Sequence, residues 1–269
     1  MRSSHFLFGA ICAAFGLAQP VSGANIVEPD KRWPGHTIEV IICDAEVSRR
    51  SSRLCARQKG ATKFVPRRLR TTEAVTIRRA IHHWNSLFRG SLRFKEVSEA
   101  TGPDAIVFRV SSRKSRCSTS HVGYSSAKPI NFISVGSACN AKKDKTRTSK
   151  GTILHEMMHA VGVYHEQERP DRAEIITIAA SERARARWGL ACKRKVSRCD
   201  KGARGIPFGD YDLSSIMHYS FEGRRGVESD LTADGIALAA SKNLNIAHIG
   251  QRQRLTEGDV AGVQALYSD

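Results

Sequence analysis

The sequence predicts an α+β fold, with helical and strand signals segregated along the chain. Residues Glu73 to Phe88 (EAVTIRRAIHHWNSLF) place Val75, Ile77, Ile81, Trp84 and Phe88 at mostly helical spacing. Short apolar or alternating runs bounded by Gly, Ser and Pro follow at Leu92–Phe94, Ala105–Val110, Val122–Tyr124 and Ile130–Val135, and read as strands of one sheet. A basic stretch, Lys142 to Lys150, leads into a second helix, and Thr256 to Tyr267 (TEGDVAGVQALY) supplies a third, with an N-cap residue and an acidic first turn.

The elements and their setting can be justified in order. Arg2, the mostly apolar run Phe6–Ala18 and the small residues Ser22, Gly23 and Ala24 have the layout of a secretory signal peptide. A membrane span needs roughly 20 apolar residues, and no run in the sequence approaches that. Residues 1–24 are therefore expected to be a signal and the protein to be secreted, extracellular or periplasmic, without a membrane span and monomeric. In an oxidising compartment Cys43, Cys55, Cys117, Cys139, Cys192 and Cys199 suggest three disulfides. Nearest-neighbour pairing gives Cys43–Cys55, Cys117–Cys139 and Cys192–Cys199, a preference among many connectivities; none has the C-x₂-C spacing of a structural zinc site.

A hydrophobic content of 41% excludes a fully disordered chain. Lys and Arg number 43 against 26 Asp and Glu, a formal charge of +17 that favours anionic partners. Basic clusters at 49–70 and 183–204 leave open an alternative, a polyanion-binding secreted protein with a vestigial zinc site. No aromatic interleaving points to base stacking, so no specific nucleic acid is expected. His82 and His83 read as packing or surface residues, since no partner histidine stands four residues on.

Residues 155–165 read HEMMHAVGVYH. On a helix His155 and His159 project from one face and can share a metal ion, while Glu156 between them is placed to act on water beside that ion. Gly162 can adopt the left-handed backbone that ends the helix and brings His165 round as a third ligand. Three neutral imidazoles leave positions open, as in a catalytic zinc site, one Zn²⁺ per chain. Ser215-Ile216-Met217-His218-Tyr219 follows as a Met-turn candidate.

The stretch HEMMHAVGVYHEQERPDR (155–172), with SIMHY (215–219), resembles the astacin family of metzincin zinc endopeptidases. Trp33-Pro34-Gly35 is similar to the entry of that catalytic domain and Leu255 to Tyr267 to its last helix. The resemblance implies a two-lobed catalytic domain over 25–269, with an upper lobe of about 25–165 and a lower lobe of about 166–269. The upper lobe would hold a twisted mixed sheet and the active-site helix above the cleft, and the lower lobe would be mostly irregular. It implies that Glu156 is the catalytic base and that Tyr219 is both a further zinc ligand and a group that stabilises the transition state. Met217 would form a base under the metal, and Glu166 would pair with the mature N-terminus. Cys117–Cys139 would flank the cleft rim, and Asn131–Val135 would be the edge strand that pairs with an extended polypeptide substrate, with an acidic residue preferred next to the cleaved bond.

Overall fold

The computed structural model describes residues 23–56, 68–111, 117–139, 149–174, 204–219 and 249–268. The expected Cys192–Cys199 pair, most of the expected signal and much of the two basic clusters lie outside the described residues. In chain order the strands are β1 (Ala24–Ile26), β2 (Thr37–Ile42), β3 (Arg93–Glu96), β4 (Ala105–Val110), β5 (Ser118–Thr119), β6 (Ile130–Val135) and β7 (Ile206–Phe208). The helices are α1 (Ser52–Ala56), α2 (Thr71–Leu87), α3 (Ser149–Val161) and α4 (Glu257–Leu266).

Five strands form a mixed sheet in the order β3-β2-β4-β6-β5. The first four run parallel and β5 runs antiparallel to β6. Strands of a parallel sheet are covered on both faces, so they read as apolar runs; Ala105 to Phe108 at the start of β4 are all buried. The sheet corrects three readings of the sequence. Asn131–Val135 is interior, between β4 and β5, and among the described residues the edge on that side is Ser118–Thr119. Val122–Tyr124 is bent chain, not strand, and Thr37–Ile42, for which no strand was expected, pairs with both β3 and β4.

Helix α2 packs Ala74, Ile77, Ala80, Ile81 and Trp84 inward, and Phe88 just beyond it is also buried. Val75 faces out at 39% exposure; Ala74 and Ala80, with small side chains, take the inner positions instead. Trp84 packs at a tilt against Phe88 and meets Phe94 of β3 edge-on, with ring centroids 4.2 and 5.0 Å apart. Helix α3 is buried on every side from Gly151 to Val161. That is why its pattern is apolar rather than amphipathic.

The second, smaller sheet joins distant parts of the chain. β1 pairs antiparallel with β7, and α4 packs across it so closely that a Cβ on Gly262 would lie 2.4 Å from that of Ala24. Trp33 Nε1 donates to Ala160 O at 2.7 Å, and the Tyr267 hydroxyl donates to Val161 O at 2.8 Å. The entry segment and the residue after α4 thus both close on the end of α3. Disulfides Cys43–Cys55 and Cys117–Cys139 are formed, as nearest-neighbour pairing expects. Among the described residues no helix is long and apolar enough to cross a membrane.

Candidate active site

The site starts from the two histidines one turn apart on α3. His155 Nδ1 lies 2.8 Å from Ile216 O, and His159 Nδ1 lies 2.8 Å from Val163 O. A carbonyl only accepts, so in each ring Nδ1 carries the hydrogen and the Nε2 lone pair faces inward. Gly162, at φ 110°, ends the helix where a Cβ would lie 2.7 Å from Val27 Cγ2. The chain then turns back and His165 joins the pair. His159 and His165 bring their Nε2 atoms to 3.0 Å, and one ligand atom from each histidine lies within 4.8 Å of the others.

This donor set fits zinc. Tetrahedral coordination at about 2.0–2.1 Å sets nitrogens about 3.3 Å apart, close to the separation observed. Burial pushes His155 and His159 well below the usual histidine range, and His165 below it too, so all three are neutral, as metal ligands must be. The third histidine is oriented differently from the others. Its Nδ1 lies 3.6 Å from Glu168 Oε1, and Arg204 grips the same carboxylate at 2.9 and 3.0 Å. Burial works upward on Glu168, but His165 and Arg204 outweigh it and hold its pKa at about 2. Asn25 of β1 fixes the main chain here: Tyr164 N donates to its carbonyl at 2.8 Å, and its Nδ2 donates to His165 O at 3.0 Å.

Glu156 is 6% exposed, next to the histidine cluster. Burial pushes its carboxyl up, and a hydrogen bond from Thr119 Oγ1 to Oε2, 2.8 Å long, works against that shift. The space above is an open cleft of about 900 Å³, lined by the histidines and by Glu156, Thr119, His121, Tyr219, Lys31 and Arg204 among others. Tyr219 packs its ring against His165, centroids 4.3 Å apart, and its backbone N donates to Gln167 Oε1 at 3.0 Å.

Residues 215–219 form a turn beneath the cluster. Met217 is fully buried and its carbonyl accepts from Glu166 N at 3.3 Å. Asp259 of α4 holds the turn, accepting from Ser215 Oγ at 2.6 Å and Ile216 N at 3.0 Å. Ile216 in turn presents the carbonyl that orients His155. Glu166 lies buried beside the turn. Its Oε1 accepts from Arg169 Nη1 and from Asp212 N, both at 3.0 Å, while Oε2 is buried without a hydrogen-bond partner among the described residues.

All the expected site residues with described positions therefore converge: His155, Glu156, His159, Gly162, His165, Glu166, Met217 and Tyr219. Sequence reasoning missed Thr119, Gln167, Glu168, Asp259 and Arg252. Arg252 is buried and donates to His218 O at 2.9 Å. The Thr256–Asp259 capping pattern was visible, but not the reach of Asp259 to a turn 43 residues away.

Comparison with known proteins adds to the geometry. The sequence pattern of the peptidase family described as Astacin matches residues 63–268. The zinc metalloproteinase nas-30 of Caenorhabditis elegans is 30% identical over 191 residues, 68% of this chain and 22% of that protein. Nematocyst expressed protein 6 of Nematostella vectensis is 30% identical over 191 residues, 70% of this chain and 56% of its own length. The chain thus spans well under two thirds of these relatives. Among solved structures, high choriolytic enzyme 1, a hatching enzyme zinc-protease from Oryzias latipes, superposes with a TM-score of 0.55 at 20% identity, covering 90% of this chain and 98% of that one. That likeness shows the α+β metzincin fold. With a family pattern covering most of the chain and the H-E-x-x-H-x-x-G-x-x-H histidines gathered over a Met-turn, the chain belongs to the astacin family of peptidases.

Proposed function

We propose that this protein is a secreted zinc-dependent endopeptidase that hydrolyses peptide bonds of polypeptides, with Glu156 as general base. The observation that carries the reading is the convergence of three neutral histidines beside a buried carboxylate in an open cleft. When bound to His155, His159 and His165, zinc supplies Lewis acidity to water and to the scissile carbonyl. Glu156 accepts a proton from the attacking water and passes it to the leaving amine nitrogen. The Tyr219 hydroxyl, on the same cleft wall, donates a hydrogen bond to the oxyanion, whose charge exists only after attack; in the resting site it is a further candidate ligand. The free edge of β5 takes an extended substrate strand by main-chain pairing, which binds polypeptide without reading each side chain.

Glu156→Ala is expected to keep about one zinc per chain and to lose turnover of casein or gelatin. Substantial residual hydrolysis by the purified variant overturns the base assignment. Chelation is expected to abolish activity and added zinc to restore it, with activity at neutral to alkaline pH, where histidine ligands are unprotonated.

Two finer points belong to the same reading. Lys31 and Arg204 line the cleft and favour an acidic residue beside the cleaved bond, although Glu28 and Glu168 already pair with them. Profiling of cleavage sites on a peptide library, without Asp or Glu enrichment there, removes that preference. Glu166 Oε2, buried without a hydrogen-bond partner among the described residues, supports pairing with an α-ammonium created by signal cleavage near Ala24. Gly23 N and Arg169 Nη1 both donate to Asp210 O, at 2.7 and 3.1 Å, which brings this part of the chain beside Glu166. Sequencing the terminus of the secreted active form tests it; a start well beyond Trp33 overturns it.

A further inference from the structure

We infer that Thr119 is a positioning residue for Glu156, tying the orientation of the base to the strand that receives substrate. The inference rests on the zinc endopeptidase reading. Thr119 is the last residue of β5, an edge strand of the main sheet among the described residues, where its main chain pairs with Ile133. Its side chain reaches the opposite way, to α3. There Oγ1 lies 2.8 Å from Glu156 Oε2 and 2.8 Å from the Glu156 carbonyl oxygen.

A hydroxyl has one proton to give. With two acceptors on the same residue at equal distance, the Thr119 hydroxyl stays fixed against the middle of the catalytic helix whichever of them it serves. A hydrogen bond to an ionised carboxylate is among the stronger ones. It occupies Oε2 and leaves Oε1, which has no hydrogen-bond partner among the described residues, as the oxygen that takes the proton. Without it, a buried carboxylate on a rotatable side chain samples other angles, and displacement on the scale of an ångström costs about 100-fold in rate.

The strand is itself held from two sides. Ser120 Oγ accepts from Phe132 N at 2.9 Å and donates to Asn131 Oδ1 at 2.9 Å, while Asn131 Nδ2 donates to His121 O at 2.9 Å. Gly123 N donates to His159 O at 2.9 Å. The rim is thereby fastened to α3 at Glu156 and again at His159. A substrate strand that pairs with this edge is placed in register with the carboxylate through one residue, Thr119, shared by both.

The test compares Thr119→Val, which keeps the shape and removes the hydroxyl, with Thr119→Ser, which keeps the hydroxyl. Steady-state kinetics use a quenched-fluorescence peptide derived from casein, and zinc content and thermal midpoint are measured on the same preparations. Thr119→Val is expected to lower kcat about 10- to 100-fold with KM within about twofold and zinc content unchanged. Thr119→Ser is expected to remain within about threefold of wild type in kcat. Equal losses in both variants, a rise in KM in place of a fall in kcat, or a fully active Thr119→Val overturns the assignment. Should Thr119→Val fold poorly, Thr119→Ala is read by the same criteria. Glu156→Gln, measured alongside, separates the two levels. If it stays active, the base assignment fails whatever Thr119 does; if it is inactive while Thr119→Val is not, only the positioning role fails.

Discussion

Glu166 and Arg169 form an ion pair whose side chains are 0% and 1% exposed. Removing one partner from a buried pair costs about 3–5 kcal/mol when the other charge is left alone; Arg169 keeps Asp171 at 2.7 and 2.9 Å, which places the loss of Glu166 at the lower end. Glu166→Ala is therefore expected to lower the urea midpoint strongly, while zinc content, fixed by three histidines to which its side chain makes no hydrogen bond, stays near one per chain. Loss of zinc with an unchanged midpoint is the opposite outcome and overturns this division of labour. Residues of this kind show how much of the site is legible in a sequence. His155, Glu156, His159, Gly162 and His165 were legible because helical periodicity and one glycine turn place them within eleven residues. Thr119, Gln167 and Asp259 were not, because their partners lie 37, 52 and 43 residues away and only the folded chain selects them.

Among the elements, α2, β4, β6 and α4 were legible, since each carries a clear apolar period or run and a boundary signal. β5 was not. It is two residues long and polar, held by the Cys117–Cys139 disulfide beside it and by the rim contacts of Asn131, so no period marks it. Helix α4 makes a sharp prediction. Ala in place of Gly within a helix ordinarily stabilises by about 1 kcal/mol. At Gly262 the new Cβ would lie 2.4 Å from Ala24 Cβ, so the sign reverses. Gly262→Ala is expected to destabilise by about 1–3 kcal/mol, whereas Gln264→Ala on the exposed face leaves the thermal midpoint near wild type. A raised midpoint in Gly262→Ala contradicts the packing of β1 beneath α4.

For the molecule as a whole, buried titratable groups set the response to acid. Burial holds His218 neutral down to about 3, with Tyr211 Oη 2.8 Å from its Nε2. The unfolded chain protonates this histidine near its ordinary value of about 6.5. Its contribution to stability is therefore complete above about 6.5 and is lost as pH falls towards 3. Asp259 acts in the opposite sense: burial and Asp212 raise it to about 6, so its contribution is present in acid and lost as pH rises through that value. Within the net acid response these two groups oppose each other, alongside the lowered His155, His159 and His165. His218→Gln, which keeps a polar partner for Tyr211, is expected to flatten the fall in urea midpoint between pH 7 and 4.5. An unchanged slope assigns the acid response to other groups.

The threading of β1 sets the order in which the chain can assemble. Ala24 to Val27 emerge early in synthesis, yet their partners are Gly162, Ile206 to Phe208 and the face of α4. Trp33 likewise waits for Tyr267, 234 residues later. Contacts so remote in sequence form slowly, and the one between Trp33 and Tyr267 is impossible until residue 267 has left the ribosome. Because Asn25 grips the main chain at Tyr164 and His165, the third histidine is held in place only when that closure occurs. A nascent chain stalled before α4 would carry the strands of the main sheet and the HExxH helix, yet not the α4 contacts that hold the 215–219 turn, so the histidine cluster is completed only after α4 has been made.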